Sequence, residues 1–137
     1  MKDILTIGII GAGRIGKVHA ATLAYRIPAA RMLAVADISL PAAQQLADQF
    51  NIATVTADYR QVLDNPAIEA VLICSATDTH ARFTKEAAEA GKHIFCEKPI
   101  AHSLAEIDQA LAAVDKAGVK LQVGFNRRFD GNFRRVH

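Results

Sequence analysis

Apolar and polar positions along this chain switch repeatedly between two periods. Ile4 to Ile10 is a near-continuous apolar run of strand length, and from Arg14 onward Ile15, Val18, Thr22 and Tyr25 recur at helical spacing. Met32 to Ala36 reads as a second strand. Pro41 stands where a helix can begin, and Ala43, Leu46, Ala47 and Phe50 form its inner stripe. Thr54 to Thr56 is a short third strand, followed by a short helix around Tyr59 to Leu63 that stops before Asn65-Pro66. Ala70 to Ser75 is the fourth strand. Phe83, Ala87 and Ala90 mark a helix ended by Gly91, and His93 to Cys96 is the fifth strand. Ser103 with Glu106 three residues on forms a capping box. Behind it Leu104, Ile107, Leu111 and Val114 face inward until Gly118, and Lys120 to Phe125 is the sixth strand.

Six strands alternating with five helices point to an α/β fold. Strands apolar on both faces belong to a parallel sheet covered on both sides, and right-handed crossovers make it doubly wound. The 137 residues suit one domain and are enough to bury roughly two-thirds of the unfolded surface. With 51% hydrophobic and 22% charged residues, the chain is neither disordered nor fibrous. No apolar run approaches the roughly 18 residues of a membrane span, and the N-terminus reads as a strand and turn rather than a signal peptide. Cys74 and Cys96 each sit in an apolar run, so reduced, buried thiols in a cytoplasmic protein are expected.

Charge sharpens one segment. The net charge is +2, yet Asn126 to His137 carries four arginines and one aspartate; the rest of the chain has 12 basic and 13 acidic residues. A near-neutral body with 6% aromatics and no Trp argues against a nucleic-acid partner. The five histidines are scattered and no C-x-x-C occurs, so no metal site is expected.

Candidate chemistry begins at Gly11-Ala12-Gly13-Arg14-Ile15-Gly16, a G-x-G-x-x-G between a strand and a helix. In that context Gly11 permits a tight turn, Gly13 lets a pyrophosphate approach the backbone, and Gly16 lets helix and strand pack closely. The helix N-terminus then offers its N–H groups to the phosphates. Asp37 ends the second strand 21 residues after Gly16, where a carboxylate bonds ribose hydroxyls and repels a 2′-phosphate. NAD is therefore expected over NADP, within a Rossmann dinucleotide-binding fold. Asp37 as a helix cap is the bland alternative, and a methyltransferase domain binding S-adenosylmethionine is the rival reading.

In an open α/β sheet, ligands lie beyond the carboxyl ends of the strands. Three clusters fall there: Ser75-Ala76-Thr77-Asp78-Thr79-His80, Glu97-Lys98-Pro99 and Asn126-Arg127-Arg128. Ser75 and Thr77 are small enough to line a cofactor. His80 is either a cofactor contact or a packing and capping histidine. Pro99 restricts Lys98 toward extended conformations and is open to the cis form. An ammonium held there can bond a substrate hydroxyl and stabilise the alkoxide that develops as hydride leaves. The alternative is a surface pair between Lys98 and Glu97.

Together the glycine loop with Asp37, Ser75 to His80, Phe95-Cys96-Glu97-Lys98-Pro99, and Gln122-Val123-Gly124-Phe125-Asn126-Arg127-Arg128-Phe129-Asp130 resemble the glucose-fructose oxidoreductase/inositol dehydrogenase family (Gfo/Idh/MocA). The last run resembles its inositol 2-dehydrogenase branch. The resemblance spans essentially the whole chain and weakens the methyltransferase reading. It implies NAD-dependent oxidation of a secondary alcohol on a polyol or sugar ring, with myo-inositol as substrate. It further implies that Gly11, Gly13, Arg14, Ile15, Gly16 and Asp37 bind the adenosine and pyrophosphate half. Ser75, Ala76, Thr77 and His80 would line the cofactor's middle, Glu97 and Lys98 would sit by the nicotinamide with Lys98 touching substrate, and Asn126 and Arg127 would close over that end. Asp78 stands where many members have asparagine.

The family places an Asp-x-x-x-His pair in a second α/β domain, and no such pair occurs here. The expectation is therefore a Rossmann domain over residues 1–125, with residues 126–137 forming the nicotinamide-side loop and the start of an absent second domain. That domain would supply the general base and the contacts of a homo-oligomer. A non-catalytic NAD-sensing module, or a dehydrogenase of another sugar, are the alternatives.

Overall fold

The computed structural model describes residues 4–135. Strands β1 (Leu5–Ile10), β2 (Ala30–Ala36), β3 (Thr54–Thr56), β4 (Ala70–Ile73), β5 (His93–Cys96) and β6 (Leu121–Val123) form one sheet in the order β3-β2-β1-β4-β5-β6. All neighbours are parallel. Between them run α1 (Arg14–Arg26), α2 (Leu40–Phe50), α3 (Arg60–Leu63), α4 (Thr77–Glu89) and α5 (Leu104–Ala117). A 3-10 turn at Asn126–Phe129 and α6 (Gly131–Arg134) follow β6.

The period of two along each strand sends alternate side chains to two separate cores. Ile7, Ile9, Val35, Leu72 and Cys74 pack against Ala20 of α1 and Ala43, Leu46 and Ala47 of α2. Their neighbours Ile10, Ala34, Ala36, Val71, Ile73, Ile94 and Cys96 pack on the other face against Val62, Phe83, Ala87 and Val114 of α3, α4 and α5. This is why the strands read as unbroken apolar runs. Turn chemistry closes the helices: Asn51 ends α2 in a left-handed conformation and Gly118 ends α5 likewise. Ser103 caps α5 by accepting from the Glu106 N–H, while its own hydroxyl donates to the Glu106 carboxylate at 2.8 Å.

Two inner faces differ from those the periodicity predicts. In α1 the buried residues are Gly16 and Ala20, whereas Val18 is 53% and Tyr25 75% exposed. Small residues set this face because the helix lies against strand backbone: a Cβ on Gly16 would stand 2.1 Å from the Gly11 carbonyl oxygen. In α5, Ala110 and Val114 are buried and Leu104, the first helical residue, is 79% exposed. Its close neighbour is α4, and the small Ala110 rather than Leu111 turns inward. Strands β4 and β6 also end earlier than the apolar runs that predict them, at Ile73 and Val123.

Candidate functional site

Five of the six strands, all but β3, hand over to their loops through one further backbone bond. The N–H groups of Gly11, Asp37, Cys74, Glu97 and Gly124 donate to carbonyls of Ala36, Thr56, Ile10, Ile73 and Cys96. Glu97, and the residues one and two places before Ser75 and Asn126, are thus held on the sheet, at its carboxyl edge. Two clefts open along that edge.

The first, about 380 Å³, is lined by Gly11, Gly13, Asp37, Ile38, Tyr59, Ser75, Ala76 and Thr79, among others. Gly11 has φ +106, and a Cβ there would stand 2.5 Å from the Cys74 carbonyl. Only glycine satisfies both conditions. Gly13 is the N-cap of α1, makes no side-chain cap bond, and would meet nothing within 4 Å if it carried a Cβ. The first turn of α1 has no acidic side chain. Gly13 lines the cleft and this helix end has no side-chain cap, which is the form an anion site takes. Arg14 and Ile15 form that first turn, with Gly16 beneath them. Across the cleft mouth, the Asp37 carboxylate accepts from the Ala12 N–H at 2.7 Å and from the Ser39 N–H at 2.8 Å. Both oxygens are anchored by backbone, so the negative charge is fixed beside the glycine loop. This donor set fits a dinucleotide: anion-seeking N–H groups for a pyrophosphate and an oriented carboxylate for ribose hydroxyls.

The Ser75 and Thr79 hydroxyls lie 2.6 Å apart, and the Thr79 hydroxyl also donates to the Ala76 carbonyl. Thr77 begins α4 but is not among the residues lining this cleft, and neither is His80. His80 is 2% exposed, with Nδ1 2.8 Å from the Pro99 carbonyl and Nε2 3.0 Å from the Ser75 carbonyl. It is a strut between two loops. The Lys98–Pro99 peptide it braces is cis.

The second cleft, about 490 Å³, is lined by Lys98, Phe125, Asn126, Arg127 and Arg128. Among the described residues no acidic side chain lines it. Arg127 lies 4.9 Å from the Phe133 ring and Arg128 5.7 Å from the Phe125 ring, so aromatic faces orient both guanidinium groups. The surface pair between Lys98 and Glu97 does not form. Among the described residues the ion pairs are His19–Glu97 and Arg60–Asp58. Glu97 Oε1 lies 2.6 Å from His19 Nε2, and the Lys98 N–H donates to Oε2 at 3.2 Å.

Hydropathy and motif spacing do not flag His19, Tyr59 or Thr79. Thr79 stands within a singled-out cluster but only the helix start at Thr77 turns it to the cleft. Tyr59 lines the cleft while its hydroxyl donates to Glu86 at 2.6 Å; burial, then that contact, raise its pKa. His19 reaches a carboxylate 78 residues away, a relation no local pattern encodes. Cys74 and Cys96 are free and buried. Desolvation pushes their thiols up to about 12 and about 11, so neither is a nucleophile at neutral pH. Among the described residues no three His, Cys, Asp or Glu side chains gather as a metal site, and no helix is long and apolar enough to cross a membrane.

Comparison with known proteins gives this geometry its relatives. An oxidoreductase of Bacillus subtilis, YrbE, described as uncharacterized, is 54% identical over 135 residues, covering 98% of this chain and 39% of that protein. The myo-inositol 2-dehydrogenase of Thermotoga maritima is 38% identical over 132 residues, covering 96% of this chain and 39% of its own length. The crystal structure of scyllo-inositol dehydrogenase from Lactobacillus casei with bound NAD(H) and scyllo-inositol superposes with a TM-score of 0.91 at 31% identity. That match covers 98% of this chain and 40% of that one. The chain spans about two-fifths of the length of these relatives. The family profile for "Oxidoreductase family, NAD-binding Rossmann fold" matches residues 5–125. The chain therefore belongs to the Gfo/Idh/MocA oxidoreductase family and carries its NAD-binding Rossmann fold.

Proposed function

We propose that this chain is the cofactor-binding part of an NAD-dependent dehydrogenase that oxidises a secondary alcohol of a polyol or sugar ring, with myo-inositol as its substrate. The observation that carries the reading is the juxtaposition at the carboxyl edge. A backbone anion site with an anchored Asp37 lies beside a cleft where the Lys98 ammonium has no carboxylate partner among the described residues. The inositol dehydrogenases among the relatives support the substrate class.

In this reading Gly11, Gly13, Arg14, Ile15 and Gly16 hold the pyrophosphate through the loop and the first turn of α1. Asp37 takes the adenosine ribose hydroxyls and disfavours a 2′-phosphate. Ser75, Ala76 and Thr79 line the middle. Glu97, Lys98, Asn126 and Arg127 border the nicotinamide end; Thr77 and His80 act from behind it, His80 by bracing the loops. NAD, when bound, supplies the hydride acceptor. Lys98 donates a hydrogen bond to the reacting hydroxyl and stabilises the oxyanion that develops on it, and the positive cleft around Arg127 and Arg128 favours the same charge. The hydroxyl proton goes to a general base outside residues 4–135. The Rossmann domain spans residues 1–125 and the nicotinamide-side loop leading to a second domain residues 126–137, of which residues 1–3, 136 and 137 lie outside the described residues. The complete protein is a homo-oligomer of the cytoplasm.

Calorimetry tests the cofactor: NADH binds, while NADPH and S-adenosylmethionine bind at least tenfold more weakly. Tighter binding of S-adenosylmethionine would overturn the reading. Turnover of the full-length protein with NAD and a panel of inositols and sugars tests the substrate; NADH binding without turnover on any polyol would favour a sensing module instead.

A further inference from the structure

Glu97 is held by two hydrogen bonds and bordered by a third element. Its side chain is 13% exposed, and its two oxygens meet His19 Nε2 from α1 and the N–H of Lys98. At the end of β6, Gly124 leaves the carboxylate its room: a Cβ there would stand 3.1 Å from Oε1. The His19 ring is in turn set edge-on to Phe95 of β5, centroids 5.1 Å apart. A mostly buried carboxylate is costly without hydrogen-bond partners. Without His19, its nearest cationic neighbour in sequence is the Lys98 ammonium.

We propose that His19 is a positioning residue for the Lys98 site. By holding Glu97 Oε1 it keeps the carboxylate turned onto the Lys98 N–H and away from the Lys98 ammonium, so the ammonium stays directed to substrate. The contact also joins α1, whose N-terminus forms the anion site, to the end of β5. This rests on the reading of the Lys98 edge as the nicotinamide side.

The test compares NADH with ADP-ribose, which has no nicotinamide, in the intact protein. His19→Ala is expected to weaken NADH about tenfold, the loss of one charge-assisted hydrogen bond, while ADP-ribose changes less than about twofold. His19→Gln, which keeps a donor at comparable reach, restores most of the NADH affinity; His19→Asn, too short to reach, does not. Should His19→Ala fail to fold, the contrast between Gln and Asn carries the same reading. In full-length enzyme the same order holds for kcat, with KM for NAD less affected. Equal losses for NADH and ADP-ribose, or no loss for either, overturn the positioning role. Wild-type protein that binds ADP-ribose and NADH equally tightly overturns the nicotinamide-side reading beneath it.

Discussion

The two clefts at the carboxyl edge are built from different materials. The glycine-loop cleft is made of backbone: Gly11 and Gly16 fit where a Cβ would strike carbonyl groups, α1 presents uncapped N–H groups, and two backbone N–H groups anchor Asp37. The Lys98 cleft is made of long charged side chains, Lys98, Arg127 and Arg128, oriented by aromatic rings and by the His19–Glu97 contact. A backbone site is rigid and suits a part shared by many ligands. A side-chain site is adaptable and suits the part where chemistry and substrate choice reside. Damage should therefore show differently in each: structural loss in the first, functional loss with the fold intact in the second.

Gly16→Ala should break the comparison hardest. Its Cβ would overlap a backbone oxygen that no rotamer change can move, so α1 must shift. The expected cost is about 3 kcal/mol, a fall in Tm of roughly 10 °C, with NADH binding lost. A melting curve with calorimetry checks both. Lys98→Ala should lower kcat/KM of the full-length enzyme by about 100-fold or more, with Tm unchanged and NADH weakened about tenfold or more. An unchanged kcat/KM would remove Lys98 from the chemistry.

Asp37→Ala sharpens the boundary between structure and selectivity. It should reduce the preference for NADH over NADPH by roughly tenfold and cost about 1 kcal/mol of stability, since the Ala12 and Ser39 N–H groups lose their acceptor. Calorimetry with both cofactors and a urea titration measure the two parts. The last effect, absent at neutral pH, concerns the sheet beneath both clefts. Folded-state thiols raised from 9.0 to about 12 for Cys74 and about 11 for Cys96 keep protons that the unfolded chain releases. Their contribution is present below pH 9 and lost as pH rises from 9 toward 11 and 12. Cys74→Ser, Cys96→Ser protein should show less alkaline destabilisation in that window, and iodoacetamide at pH 8 should not label the native thiols.

Legibility followed the same division. The glycine loop, Asp37 and the alternation of strands and helices are local patterns, and the structure has them at the positions the spacing implies. The Ser103–Glu106 cap and the Gly118 stop are equally local. Helix faces were less legible. Ile15, Val18 and Tyr25 keep helical spacing, yet α1 turns Gly16 and Ala20 inward because closeness to strand backbone outweighs burial of bulkier groups. His80 reads either as a cofactor contact or as a packing and capping histidine, and it lies as a buried strut between Ser75 and Pro99. Hydropathy carries no record of which carbonyls face a ring.

By itself the sequence determined the parallel α/β sheet, the glycine loop between β1 and α1 and the placement of Lys98 at a strand end, since each depends on residues within one or two turns of chain. Only the tertiary structure decided that Glu97 serves His19 rather than the Lys98 ammonium, and which hydroxyls reach the cleft. Those outcomes depend on where α1, β5 and β6 come to lie against one another, and a carboxylate takes whichever partner the packed elements bring within hydrogen-bond reach.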